Sequence, residues 1–399
     1  MNLIHHLTLG VDAINIRSGG GLTHLKQLLA ACEPGLSGYK SVVVWTGANT
    51  ASKLPVFPWL VVHSVPWMDG PLPFRMLGQQ RVLPRLLKQA GCDVLFSPGG
   101  TLPALCQVPM VTMSQNMLPF EPDRAALFGR WSWMRLKMRI LRFSQGRSFK
   151  RAQGVIFLTQ YAQDAVTKAL GGIRGLTALV PHGIEQRFVM QPRAQRSQQA
   201  LVQAPLQLLY VSIQDPYKHH VELMQAVAQL RAQGRSVVLR MVGANTQPYA
   251  VAVQHQRLLL DPDGVFLQDF GHVNFEQLHE LYQQADVFVF ASSCENLPNI
   301  LIEAMAAGLP IACAQRGPMP EVLGDAGVYF DPESPDTIAQ AIAALADDPD
   351  LRAQLAQRAW QMAQAYSWER CARETLDFVG QVARNHVKVE KCCLTTRCC

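Results

Sequence analysis

Two carboxylates eight positions apart, Glu295 and Glu303, are the residues of this chain whose types and spacing speak most clearly of chemistry. Glu295 lies in a polar run, Ser292-Ser293-Cys294-Glu295-Asn296. Glu303 stands in a stretch that is otherwise mostly apolar, Asn299-Ile300-Leu301-Ile302-Glu303-Ala304-Met305-Ala306-Ala307. An ionised carboxylate in such a helix is costly unless it is paired or hydrogen-bonded. Asn299 and Glu303 are four residues apart and share a helix face. The exposed N–H groups around the helix start, over Asn296, Leu297, Asn299 and Ile300, form an anion site. A ligand with a phosphate in the middle and hydroxyls at both ends suits this layout, with the phosphate at the helix start and one carboxylate for the hydroxyls at each end. A nucleotide-sugar has that shape. Two solvated carboxylates spaced this way by chance are the alternative reading.

The elements that position these groups are legible around them. Residues 286–291 form a short apolar run rich in Val and Phe, the pattern of a strand buried on both faces. Pro298 is expected to open the helix, where its missing N–H costs nothing. Gly308 ends it, and 309–314 reads as the next strand. The polar loop therefore sits at the carboxyl end of a strand, the place where open α/β sheets bind ligands.

Residues 271–342 resemble the donor-site signature of the retaining glycosyltransferases of family 4. Glu295 and Glu303 supply an E-x7-E pattern, within a context of Leu278, Tyr282, Ala285-Asp286, Glu303-Ala304-Met305-Ala306-Ala307-Gly308 and Pro320-Glu321-Val322. The resemblance implies an α/β chain of the GT-B fold, two Rossmann-like domains facing across a cleft that holds the active site. It implies transfer of a hexose from a nucleotide-sugar donor to a glycan or polyprenyl-linked acceptor, with retention and without a bound metal or cofactor. Glu303 would take the ribose hydroxyls and Glu295 the sugar hydroxyls. Lys218 and the amides of 296–300, including Asn296, Leu297, Asn299 and Ile300, would take the diphosphate. Glu295, Lys218 and Asn116 are the candidate catalytic groups, and His272 lies in a loop expected over the base or ribose. Gly19, Gly20 and Gly21 precede a helix and allow close backbone approach. With Gln115 they would face the acceptor and the diphosphate.

Two departures from the family pattern stand out. Ile213 occupies the position of an Arg that pairs with the Lys on the diphosphate, and Gln115-Asn116 stand where many relatives place a His. An amide does not titrate usefully, so neither can serve as a general base. Two further readings stay open: a nucleotide-sugar epimerase or hydrolase on the same fold, and a non-catalytic nucleotide-sugar-binding protein. His182, in Pro-His-Gly, reads as structural or catalytic.

Strands alternating with helices predict a first domain over 1–185. Residues 185–205, rich in Gln, Arg and Pro and without an apolar period, read as a linker. A second domain is expected over 206–366, a helix at about 367–384 returning to the first, and a Cys-rich tail over 385–399 without regular structure. Cys392, Cys393, Cys398 and Cys399 crowd that tail without completing a zinc pattern.

The net charge of +6 is local. Nine Lys and Arg lie between Arg124 and Arg151 with no acid among them. Global nucleic-acid binding is therefore not implied. Aromatic and aliphatic residues interleave with these cations, which suits either an interfacial helix on anionic lipid or a helix packed on the core with a solvated basic face. No apolar run spans a bilayer and no basic leader precedes an apolar core at the N-terminus. A cytoplasmic enzyme, peripheral at the inner membrane's cytoplasmic face, is the expected setting.

Overall fold

The computed structural model describes residues 6–35 and 37–396, with side chains described through His386. The chain divides into two compact units. The first comprises the N-terminal stretch through Phe120, Leu136–Gly183 and everything from Ser367. The second comprises Glu121–Arg135 and Ile184–Tyr366.

The first unit is built on a seven-stranded, all-parallel sheet. Its strands are β1 (Leu7–Asp12), β2 (Tyr39–Thr46), β3 (Leu60–Ser64), β4 (Val94–Ser97), β5 (Met110–Met113), β6 (Gly154–Phe157) and β7 (Leu176–Leu179). They lie in the order β3-β2-β1-β4-β5-β6-β7. Strands β4, β5 and β6 are buried at every position, as expected of parallel strands covered by helices on both faces.

The second unit carries a six-stranded parallel sheet. Its strands are β8 (Leu206–Val211), β9 (Val237–Val242), β10 (Leu267–Asp269), β11 (Val287–Phe290), β12 (Ile311–Ala314) and β13 (Val328–Phe330). The order is β10-β9-β8-β11-β12-β13. Each sheet reverses its strand order once, between β1 and β4 in the first and between β8 and β11 in the second. The crevice outside the carboxyl ends of those strands is where such sheets hold ligands.

Three expectations from the sequence are corrected. Residues 185–205 are not a free linker. Arg196 pairs with Asp286 at 2.9 Å and donates to the Pro205 carbonyl, while Arg193 donates to the carbonyls of Gln283 and Ala285. Arg352, fully buried, reaches back to the Arg196 carbonyl and to the Leu345 carbonyl at 2.6 Å. Arginine forks satisfying backbone oxygens hold the segment where no apolar stripe does. Second, Glu121–Arg135, expected in the first domain, groups with the second unit, through the Arg124–Glu333 ion pair and the packing of Phe128 on Tyr217. Third, the last helix runs over Trp368–Thr396 instead of ending near 384, so Cys392 and Cys393 lie on a helix; Cys398 and Cys399 fall outside the described residues.

That helix packs within the first unit. Tyr39 donates its hydroxyl to the Leu376 carbonyl at 2.8 Å. A Cβ at Gly154 would meet Val382 and Phe378 at 2.8 and 2.9 Å, so glycine in β6 lets the helix approach.

Candidate functional site

In the second unit, the two strands at the order reversal deliver the chemistry. β8 runs into Ser212-Ile213-Gln214-Asp215, and a short 3-10 turn over Pro216–Lys218 follows. β11 runs into the loop that carries Ser292 to Pro298. Lys218 and Glu295 meet there as an ion pair, their side chains 8% and 17% exposed. The ammonium also lies 5.1 Å from the Tyr217 ring centroid and 6.0 Å from that of Phe290. Tyr210, buried in β8, donates its hydroxyl to the Lys218 carbonyl at 2.6 Å. Backbone and side chain of Lys218 are thus both held.

The next residue shows how tightly the turn is determined. His219 has φ +52°, a left-handed conformation that a non-glycine residue adopts at a cost of about 1–2 kcal/mol. Its Nε2 lies 2.8 Å from the Ser293 hydroxyl, and the Ser293 N–H donates to the Tyr217 carbonyl at 2.8 Å. The two loops are stitched together by these bonds, and the strain is carried by the scaffold.

The helix after the loop covers Asn299–Ala306, with Pro298 as its N-cap residue instead of its first helical residue. Glu303 is therefore four residues in, a rise of about 6 Å. Its Oε2 accepts from the Tyr282 hydroxyl at 3.0 Å. Burial pushes the Glu303 carboxyl up to about 8; the Tyr282 bond opposes this, the nearby charge of Glu185 adds to it and that of Arg187 opposes it. Arg187 is itself paired with Glu185 at 2.5 Å and stacks 4.3 Å from the centroid of Phe275. Gly308 ends the helix with φ +65°, and a Cβ there would come within 2.7 Å of Pro192.

Other candidates of this unit are spread around these groups. Asn296 and Leu297 are buried in the loop, while Asn299 and Ile300 are half-buried at the helix start. His272 is exposed in the turn after β10, where the Gly271 N–H donates to Asp269. Ile213 is exposed and brings no charge. Two partners escaped sequence reasoning. Glu121 hydrogen-bonds the Cys294 thiol, and with burial as the larger cause this raises that thiol well above the usual range. Tyr282, part of the recognised pattern, is the group that holds Glu303. The first has no signal in a linear pattern; the second is a buried Tyr needing a partner for its hydroxyl.

The first unit gathers a separate set. The glycines expected as a loop form the first turn of a helix, Gly19–Ala30, whose N-terminus has no side-chain cap and no acidic residue. A Cβ at Gly19 or Gly20 would meet nothing, whereas one at Gly21 would lie 3.5 Å from the Gln115 Oε1. The Gln115 amide nitrogen is 3.3 Å from His24 Nδ1, and the His24 ring stacks on His182 at 4.4 Å. His182 in turn stacks on Trp368 at 5.7 Å. Burial, with the neighbouring His182, holds His24 well below the usual histidine range. Asn116 is exposed and its Oδ1 accepts from the Leu118 N–H at 3.1 Å, which shapes the turn after β5. Among the described residues no cluster of three His, Cys, Asp or Glu side chains is arranged to hold a metal ion.

Residues 192–362 match the family model described as glycosyl transferases group 1, and residues 18–188 the model described as glycosyltransferase family 4. The chain belongs to the family 4-like glycosyltransferases. Every described strand of this glycosyltransferase except β1 falls inside one match or the other. It is similar to the O-antigen chain mannosyltransferase B of Escherichia coli, 29% identical over 42% of this chain and 44% of that protein. The glycosyltransferase thus spans less than half the length of that relative. Among solved structures it resembles sucrose-phosphate synthase from Thermosynechococcus elongatus, with 18% identity, a TM-score of 0.73, and 96% of this chain and 100% of that one covered. It also resembles Anabaena HepE in complex with UDP-glucose, with 20% identity, a TM-score of 0.66, and 96% and 100% covered. The fold of the glycosyltransferase is GT-B.

Proposed function

We propose that this chain transfers a hexose, with retention of configuration, from a nucleotide-sugar to a glycan or lipid-linked acceptor in the synthesis of a bacterial-type surface polysaccharide. The observation that carries the reading is the placement of Lys218, Glu295 and Glu303 along one order reversal of the second sheet, two of them paired and the third at the following helix. The UDP-glucose bound by the similar HepE structure and the O-antigen chemistry in the name of the E. coli relative support the substrate classes.

In this reading Lys218 and the first-turn amides at 299–300 neutralise the diphosphate. Glu303 takes the ribose hydroxyls, with Tyr282 fixing its carboxyl, and Glu295 orients the sugar. His272 borders the base. Gly19, Gly20, Gly21, Gln115 and Asn116 serve the acceptor side, where Gln115 and Asn116 hydrogen-bond without moving a proton. The leaving diphosphate then takes the acceptor proton, and the protein's work is orientation and charge stabilisation.

Thermal-shift screening against UDP-, GDP- and dTDP-sugars tests the donor assignment: one base should stabilise the chain over the other two. The exposed Ile213 and the amide at Gln115 favour a second reading, a nucleotide-sugar-binding protein without transfer. Product analysis with donor and acceptor together separates the two, since only transfer consumes the acceptor.

A further inference from the structure

The helix Trp133–Arg151 divides its residues unequally around its axis. Met138, Gln145, Ser148 and Phe149 are buried on one side. On the other, Trp133, Leu136, Ile140 and Phe143 are 72%, 46%, 53% and 68% exposed. Their spacing of three, four and three residues places all four within an arc of about 80°. Trp131, just before the helix, is exposed as well. An apolar stripe of four large side chains in water has no role in holding this fold, and such patches mark interaction surfaces.

Cations border the stripe on both sides. On the same helical wheel, Lys137 falls on one flank and Arg139 and Lys150 on the other, and all are exposed. Arg147 continues the stripe, its guanidinium 5.9 Å from the Phe143 ring centroid. Among the described residues no carboxylate pairs with Lys137, Arg139 or Arg147, and residues 133–151 contain no Asp or Glu. A second copy of this helix would set cations against cations, so self-pairing is disfavoured. Nucleic acid would leave the aliphatic centre of the stripe unmatched.

We propose that this face lies on an anionic lipid surface, with Leu136, Ile140 and Phe143 in the headgroup–acyl boundary and Lys137, Arg139 and Arg147 among the lipid phosphates. The pattern is that of a helix lying in the plane of the interface. No helix among the described residues is long and apolar enough to cross a membrane. The contact is one of surface, and it places the enzyme where a lipid-linked acceptor resides. The inference rests on that acceptor reading only for its purpose, since lipid binding needs neither donor nor acceptor.

The test is flotation of the full chain with vesicles of phosphatidylcholine alone and with added phosphatidylglycerol, without nucleotide-sugar. The chain should float with the anionic vesicles and remain behind with the neutral ones, and more salt should weaken the binding. Reversing Lys137, Arg139 or Arg147 to Glu should each reduce partitioning by at least about fivefold, the worth of one cation near such a surface. The variant Ile140→Ser/Phe143→Ser should abolish partitioning at unchanged salt. Because these side chains are exposed, each variant should keep the parent melting temperature and the parent donor-induced shift. Absence of flotation with anionic vesicles, or flotation indifferent to these substitutions, overturns the proposal. Loss of the donor-induced shift in the parent chain would instead count against the donor reading alone.

Discussion

Lys218 and Glu295, which lie on separate loops of the second sheet, close on each other as an ion pair with little exposure to solvent. Neither is idle in the free protein: each satisfies the other until a ligand competes. In the proposed donor reading, a diphosphate that draws the ammonium away would leave the carboxylate free for the sugar hydroxyls and so couple recognition of the two parts of a nucleotide-sugar.

The pair has a stability consequence. Glu295→Ala leaves an ammonium in a largely desolvated setting, which is expected to cost roughly 2 kcal/mol, somewhat less than breaking a fully buried pair. Lys218→Met in the same background should restore part of the loss. Urea unfolding of the two single variants and the double variant reads the coupling. Additive losses would mean that the pair does not form in solution.

Glu303 gives a pH dependence whose sign is defined. Its carboxyl titrates at about 8 in the folded chain against an ordinary value of 4.5. The folded state keeps the proton that the unfolded chain gives up, so stability is full below pH 4.5 and falls as pH rises towards 8. Glu303→Gln, which cannot ionise, should match the parent in melting temperature at pH 4.5 and exceed it by a growing margin up to pH 8.5. A constant difference across that range would show that the carboxyl does not titrate there.

Tyr282→Phe removes the hydroxyl that Glu303 accepts from at 3.0 Å. Loss of one such bond is expected to cost about 1 kcal/mol. Because that bond opposes the upward shift, the variant should push the Glu303 titration higher still. The melting-temperature profile of Tyr282→Phe should therefore begin to decline at the same pH as the parent's and go on declining to higher pH, and a profile that levels off at lower pH than the parent's would contradict the assignment.

Gly154→Val tests the packing of the last helix. The added side chain would overlap Val382 and Phe378, and overpacking of this kind costs about 1–3 kcal/mol. Proteolysis after Arg384 should accelerate in the variant. Unchanged stability and protection would mean that the helix does not sit on β6.

How much of this the sequence could show depends on the kind of contact. β11 was legible because a strand buried on both faces must be apolar throughout, and Val287 to Phe290 has no polar residue. Glu303 was legible because a carboxylate among apolar neighbours demands a partner. The Lys218–Glu295 pair was not: both residues were singled out, yet for different parts of one ligand, the diphosphate and the sugar, since nothing linear brings two loops together. Residues 185–205 misled because order there comes from Arg193, Arg196 and Arg352 reaching backbone oxygens, which leave no periodicity. The last helix outran its expected end because Val387, Val389 and the Cys pair weaken helix propensity without stopping it.

The central claim is that the second unit binds a nucleotide-sugar through Glu303, and calorimetric titration of the preferred donor into the parent chain and into Glu303→Ala tests it most directly. The account predicts saturable binding to the parent and none measurable to the variant, with the variant's fold retained by circular dichroism. Equal affinity in the two chains, or no binding to the parent by any UDP-, GDP- or dTDP-sugar, would contradict it.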